Sequence, residues 1–195
     1  GLEEPYRWKD SVQSAAEIRL WVAEGTANGA RPWFTKFSGV LYDRRWLQPV
    51  ERIYQWHFDH ERYLRNEAPL ARVALLHSEQ TAAYHPGVGT GDRAEDHMLG
   101  MYHALVEARI PFELVHEALL TPERLDQFKL LILADRAALS SEQCAAIRGY
   151  VGRGGSVLAT FATSLYDETG RQRADFGLAD LFGVSFAGQI QGPMQ

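Results

Sequence analysis

Along residues 71–161 short, nearly unbroken apolar runs alternate with stretches in which apolar residues return every three or four positions. The run at 71–77, with Val73-Ala74-Leu75-Leu76 at its centre, suits a strand buried on both faces of a parallel sheet. After a loop, Asp92-Arg93-Ala94-Glu95 opens a helix with Met98, Met101, Tyr102, Leu105 and Val106 on one side. Residues 111–116 predict a second strand, Thr121 and Pro122 cap and start a short helix, and 128–134 is a third, strongly apolar strand. Ser140-Ser141-Glu142-Gln143 begins a further helix, Gly152-Arg153-Gly154-Gly155 ends it, and 156–161 supplies a fourth strand. Alternation at this spacing calls for right-handed crossovers and a parallel sheet covered by helices. The predicted class is α/β, with the flavodoxin-like strand order 2-1-3-4.

The chain upstream reads differently. All five tryptophans (Trp8, Trp21, Trp33, Trp46 and Trp56) fall in the first 56 residues. Ser14-Ala15-Ala16-Glu17 has capping-box spacing ahead of a stripe of Ile18, Trp21 and Val22, and Asn28-Gly29 is a left-handed stop. Residues 31–37 read as a short aromatic strand, and Val50, Ile53, Tyr54 and His57 recur at helical spacing after Pro49. An isolated strand cannot satisfy its own backbone, so 31–37 must pair with something. The polar stretch at 60–69, closed by Pro69, separates this helix-strand-helix segment from the sheet region, dividing the chain into 1–66 and 67–195.

Composition narrows the function classes. With 46% apolar and 23% charged residues and a formal charge of −5, the chain is too apolar for a disordered segment and too acidic for non-specific grip on nucleic acid. Its single cysteine, Cys144, excludes an internal disulfide and a Cys-based zinc cluster. No apolar run reaches the roughly 18 residues of a membrane span. A soluble chain is expected, bound to neither membrane nor nucleic acid, with a cytoplasmic location ahead of a secreted one.

Ligands of such sheets bind beyond the strand carboxyl ends, where the strand order reverses. That places His77, Ser78 and Glu79 opposite Asp135 and Arg136, as a polar pocket or as loop solvation with an Asp–Arg surface pair. Gly87-Val88-Gly89-Thr90-Gly91 lacks the lysine of a phosphate loop and lies some ten residues past its strand, so a mobile surface loop is the expected reading. Cys144 keeps the spacing of a buried helix face with Ile147 and Val151 and is expected to be inert. No histidine pair has metal-ligand spacing on a helix, so neither metal nor cofactor is expected. Asp92, Glu95 and Asp96 are read as solvated helix-start charges. Ser164 is the one nucleophile candidate at a strand end. Upstream, Trp33, Lys36, Phe37, Tyr42, Asp43 and Arg44 combine aromatic rings with polar groups in a way that suits sugar contact, although large aromatics equally fill cores.

Several segments carry a resemblance. Arg7-Trp8-Lys9-Asp10-Ser11-Val12-Gln13, Gly29-Ala30-Arg31-Pro32-Trp33-Phe34-Thr35-Lys36-Phe37 and Asp43-Arg44-Arg45-Trp46 with Trp56 resemble the closing segment of the catalytic barrel of beta-galactosidase-like glycoside hydrolases. The sheet region resembles the beta-galactosidase trimerisation domain of glycoside hydrolase family 42, through Val73-Ala74-Leu75-Leu76, the 128–133 run, Tyr150-Val151-Gly152-Arg153-Gly154-Gly155-Ser156-Val157-Leu158-Ala159-Thr160 and Leu181-Phe182-Gly183-Val184. The resemblance implies a class I glutamine amidotransferase-like fold without its catalytic residues, preceded by a barrel remnant. It also implies self-association, with a trimer as the family precedent, and contact with carbohydrate through the parent enzyme.

Retaining glycosidases use two carboxylates about 5–5.5 Å apart, and in this barrel class both precede a segment of this kind. Glu3 and Glu4 carry no motif that assigns them the nucleophile role, so the chain by itself is expected to be inactive. The implied function is a non-catalytic assembly and site-shaping domain. The alternatives are an enzyme of ThuA or amidotransferase type, since the strand-helix-GRGG-strand pattern recurs there, or a small sugar-binding module.

Overall fold

The computed structural model describes residues 13–35, 43–65, 68–84 and 95–188. They belong to two compact units, Gly1–Pro69 and Leu70–Gln195.

In the first unit Ser14 caps helix α1 (Ala15–Ala27), its hydroxyl accepting a hydrogen bond from the Glu17 N–H at 3.2 Å. The chain leaves the helix through Asn28 and Gly29, the latter at φ +90°. Helix α2 (Leu47–Asp59) carries Pro49 in its first turn, where the missing N–H costs nothing. Ile18, Val50 and Ile53 are buried together, with Val22, Phe34 and Trp46 packed against them. Residues 31–35 form no strand, and 36 and 37 lie outside the described residues. The strand expected at 31–37 is therefore not found over 31–35. Among the described residues it has no neighbour with which to form a ladder, and without one a short extended segment is not a strand.

The second unit is built on four parallel strands, β1 (Val73–His77), β2 (Phe112–His116), β3 (Leu130–Ala134) and β4 (Ser156–Thr160), in the order β2-β1-β3-β4. This is the order that the sequence pattern predicts. Its described residues also form helices α3 (Glu79–Tyr84), α4 (Asp96–Glu107), α5 (Pro122–Leu125), α6 (Ser141–Gly152) and α7 (Ala179–Phe182). Strand periodicity sends Ala74, Leu76, Leu131 and Leu133 into one core with Leu139, Cys144, Ile147, Tyr150 and Leu178. Leu75, Ile132 and Ala134 face the other way, onto Met98 and Leu105 of α4. Tyr102 and Val106, on the same side of α4, stay exposed, Tyr102 in a T-shaped ring contact with Phe112 of β2.

Two local devices match the residues that predict them. Ser140 and Gln143 form a complete capping box at the start of α6. At its end Gly154 takes φ +98°, while Gly155 lies so close to the Tyr150 ring that a Cβ would come within 2.2 Å of it. Helix α3 was not predicted; it occupies part of the stretch read as loop after the first strand.

Candidate functional site

The carboxyl ends of β1, β2, β3 and β4 hold a cluster of polar and charged side chains, most of them buried. Arg136 follows β3 by two residues and is 0% exposed. Its Nε donates to the Ala134 carbonyl at 2.8 Å, its backbone N–H to Thr163 Oγ1 at 3.2 Å, and its Nη1 lies 3.6 Å from Glu95 Oε1. Burial pulls the guanidinium below its usual pKa, and the Glu95, Asp135 and Glu117 carboxylates around it oppose that pull. An arginine so enclosed holds its surroundings together and offers no open donor to solvent.

Asp135, 2% exposed, takes φ +50°, and Phe161 and Ser164 also have positive φ. The Asp135 carboxylate accepts from the Ala162 N–H at 3.2 Å while its own N–H donates to Thr160 Oγ1 at 3.1 Å, which ties the end of β3 to the end of β4. His97 on α4 stacks on Phe161 at 5.3 Å and brings Nε2 to 3.9 Å from the Asp135 carboxylate.

Beside β1 and β2 a second set of contacts anchors α3. The buried Glu117 carboxylate accepts from the Glu79 N–H through both oxygens at 3.0 Å and from the Gln80 N–H at 3.2 Å, capping a helix start from 38 residues away. Ser78 Oγ accepts from the Thr81 N–H and donates to Thr81 Oγ1, which in turn accepts from the Ala138 N–H at 3.2 Å. His116, register partner of His77, accepts the Ala118 N–H on Nδ1. The proton of a neutral ring is then on Nε2, 3.7 Å from Glu79 and 3.9 Å from Glu117.

The structure thus buries Asp135 and Arg136 in one set of contacts between the ends of β3 and β4, and Ser78 in the second set around α3, with His77 and Glu79 at the margin of the latter. The Asp–Arg surface pair expected from sequence is corrected: Asp135 and Arg136 are both enclosed, and Arg136 faces Glu95. Glu95 stands at the helix start as expected, as the N-cap residue of α4 with Asp96 in the first turn, but its carboxylate oxygens are buried beside Arg136 rather than solvated; Asp92 lies outside the described residues. Glu117, Thr81, His97 and His116 were missed. The Ser78–Thr81 spacing carries a local capping signal, whereas Glu117 reaches α3 only through the tertiary fold.

Neither nucleophile candidate is poised for chemistry. Ser164 is buried and its hydroxyl accepts from the Leu178 N–H at 3.2 Å. Cys144 is buried in α6, and burial pushes its thiol pKa up. Among the described residues no group of three or more His, Cys, Asp or Glu side chains could hold a metal ion. No described helix is long and apolar enough to cross a membrane.

In the first unit Trp33, 74% exposed, lines a cavity of about 250 Å³ with Trp21 and Phe34. Neither Asp43 nor Arg44 lines it. Asp43 is held by Arg45, whose Nε and Nη2 grip both carboxylate oxygens at 2.5–3.1 Å and lower its pKa to about 2. Lys36, Phe37 and Tyr42 lie outside the described residues, as do 87–91, Glu3 and Glu4.

No protein-family profile and no curated protein matches the sequence. Solved structures do match by shape. A beta-galactosidase from Bacillus circulans sp. alkalophilus superposes over 83% of this chain and 27% of its own, with a TM-score of 0.65 and 16% identity. Alpha-L-fucosidase isoenzyme 2 from Paenibacillus thiaminolyticus superposes over 86% of this chain and 25% of its own, with a TM-score of 0.62 and 24% identity. For a beta-galactosidase from Bifidobacterium adolescentis the shares are 60% and 55%, with a TM-score of 0.51 and 19% identity. The chain spans about a quarter of the length of the first two and about half of the third. At these identities the likeness is one of fold, shared with parts of glycoside hydrolases.

Proposed function

We propose that the chain serves as a non-catalytic assembly and site-shaping part of a larger, beta-galactosidase-like glycoside hydrolase. In this reading residues 67–195 are a trimerisation-type domain of class I glutamine amidotransferase-like, flavodoxin-like character, and residues 1–66 are the end of the catalytic barrel. The observation that carries it is the pairing of coverages: most of this chain superposes on glycosidases of which it spans only about a quarter. The polar cluster supports the same reading, because Arg136, Ser78, Thr81 and Glu117 are buried and bonded to the protein's own groups. Carbohydrate is then met through the parent enzyme, and the partner of this part is another copy of the chain.

Light scattering on the purified 195-residue protein is expected to give a multiple of the monomer mass, and nitrophenyl galactosides and fucosides are expected to stay intact. A monomer at high concentration would remove the assembly role, and measurable turnover would remove the non-catalytic one.

A further inference from the structure

The first unit has a recess that none of the preceding functions uses. It is a cavity of about 450 Å³ between α1 and α2, with Val22, Pro49 and Ile53 among its apolar lining and Arg19, Arg52 and Trp56 as its larger polar and aromatic members. That volume lies within the roughly 300–1,000 Å³ typical of small-molecule sites.

The charges of this recess are unbalanced for a reason visible in the sequence. On a helix, the positions from which an acid can pair with an arginine are three and four residues away. Those positions hold Ala15, Ala16, Val22 and Ala23 around Arg19, and Gln48, Pro49, Gln55 and Trp56 around Arg52. No acid stands at any of the eight. Three other arginines of the unit are engaged: Arg31 donates to the Leu64 carbonyl, Arg45 grips Asp43, and Arg62 lies over the Tyr63 ring. Arg19 and Arg52 have no such contact among the described residues. Two arginines therefore line one apolar recess, in a chain whose formal charge is −5, with no carboxylate three or four residues from either.

We propose that this recess binds a small organic carboxylate carrying a six-membered ring, with the carboxylate taken by Arg19 and Arg52 and the ring lying against Trp56 and the apolar floor. A guanidinium fork matches a carboxylate in charge and in planar geometry. An indole face suits an aromatic ring or the apolar side of a sugar ring. The ligand class is thus a ring-bearing carboxylate, from a sugar acid or an aromatic acid.

Calorimetric titration of the full chain with galacturonate, phenylacetate and neutral galactose tests this. At least one acid should bind at millimolar concentration or below, about tenfold more tightly than galactose, and more weakly as salt is raised. Binding of galacturonate alone identifies a sugar acid, and of phenylacetate alone an aromatic acid; binding of both supports the class. Arg19→Gln and Arg52→Gln should each weaken binding about tenfold, while Trp56→Phe should abolish the accompanying change in tryptophan fluorescence. Both arginines are exposed, and unchanged far-UV circular dichroism would verify that the variants fold. The proposal is overturned if neither acid binds, if galactose binds as well as galacturonate, or if the arginine variants bind like the parent. It is also overturned if those variants change the oligomeric mass, which would make the recess a contact between copies.

Discussion

At the scale of single residues, Arg136 shows how an ordinary surface side chain becomes structural. In sequence it is one arginine after an apolar strand; in the fold it is fully enclosed beside Glu95, Asp135 and Glu117. Removing one partner of a buried ionic group leaves the others desolvated and unanswered, at a cost of about 3–5 kcal/mol. Arg136→Met is expected to lower stability by that amount, with the loss seen in urea denaturation followed by circular dichroism. Tryptophan fluorescence would not report it, since every tryptophan precedes residue 57. A loss under about 1 kcal/mol would mean that the three carboxylates remain hydrated when the arginine is gone. Ser78 and Thr81 tell the same story on a smaller scale, because their hydroxyls serve each other and the Ala138 N–H.

At the scale of elements, the segment from the start of α6 to β4 was the most legible part of the chain. Its capping box, its glycines and the apolar run after them are all local signals, and each has its expected partner in the structure. Gly155 is the position where replacement is least tolerable, since its missing side chain is the space that Tyr150 fills. Tyr150 cannot easily retreat: it is 1% exposed, with its hydroxyl donating to the Phe128 carbonyl. Gly155→Ala is therefore expected to cost about 1–3 kcal/mol and to lower the thermal midpoint, whereas Gly152→Ala, with open space around it, should cost little. Equal midpoints for the two variants would contradict this packing account. Helix α3 is the opposite case. Its six residues are too few to hold a helix by propensity, and its Glu79 and Gln80 N–H groups are capped by Glu117, which the sheet delivers. The strand expected at 31–37 is absent over 31–35 for the same reason, as strand formation depends on a neighbour that local sequence does not contain.

At the scale of the whole molecule, surface carboxylates tie distant segments of the second unit together and give it a pH dependence of definite sign. Asp175 accepts from the Phe176 and Phe186 N–H groups, and Asp180 pairs with Arg148 across 32 residues. Both have lowered pKa values: Asp175 because of those backbone hydrogen bonds, Asp180 because of the Arg148 side chain. A carboxylate with a lower pKa folded than unfolded stabilises the protein fully above the unfolded value, near 3.9, and loses that contribution as pH falls through the folded value. The thermal midpoint should therefore hold from neutrality down to about pH 4 and fall below it. Asp175→Asn with Asp180→Asn should flatten that fall while lowering the midpoint at neutral pH. An unchanged acid slope in the double variant would assign the effect to other carboxylates.

Length, periodicity and turn chemistry in the sequence were sufficient to determine an α/β unit of four parallel strands in the order 2-1-3-4. Strand periodicity, helix caps and glycine turns act between residues close in the chain, and right-handed crossovers leave few ways to arrange what they specify. Which polar groups meet at the carboxyl ends of the strands was decided only by the tertiary structure. Glu95, Glu117, Asp135 and Arg136 come together because separate crossovers deliver them to one place, and once buried they must satisfy one another, since water no longer can.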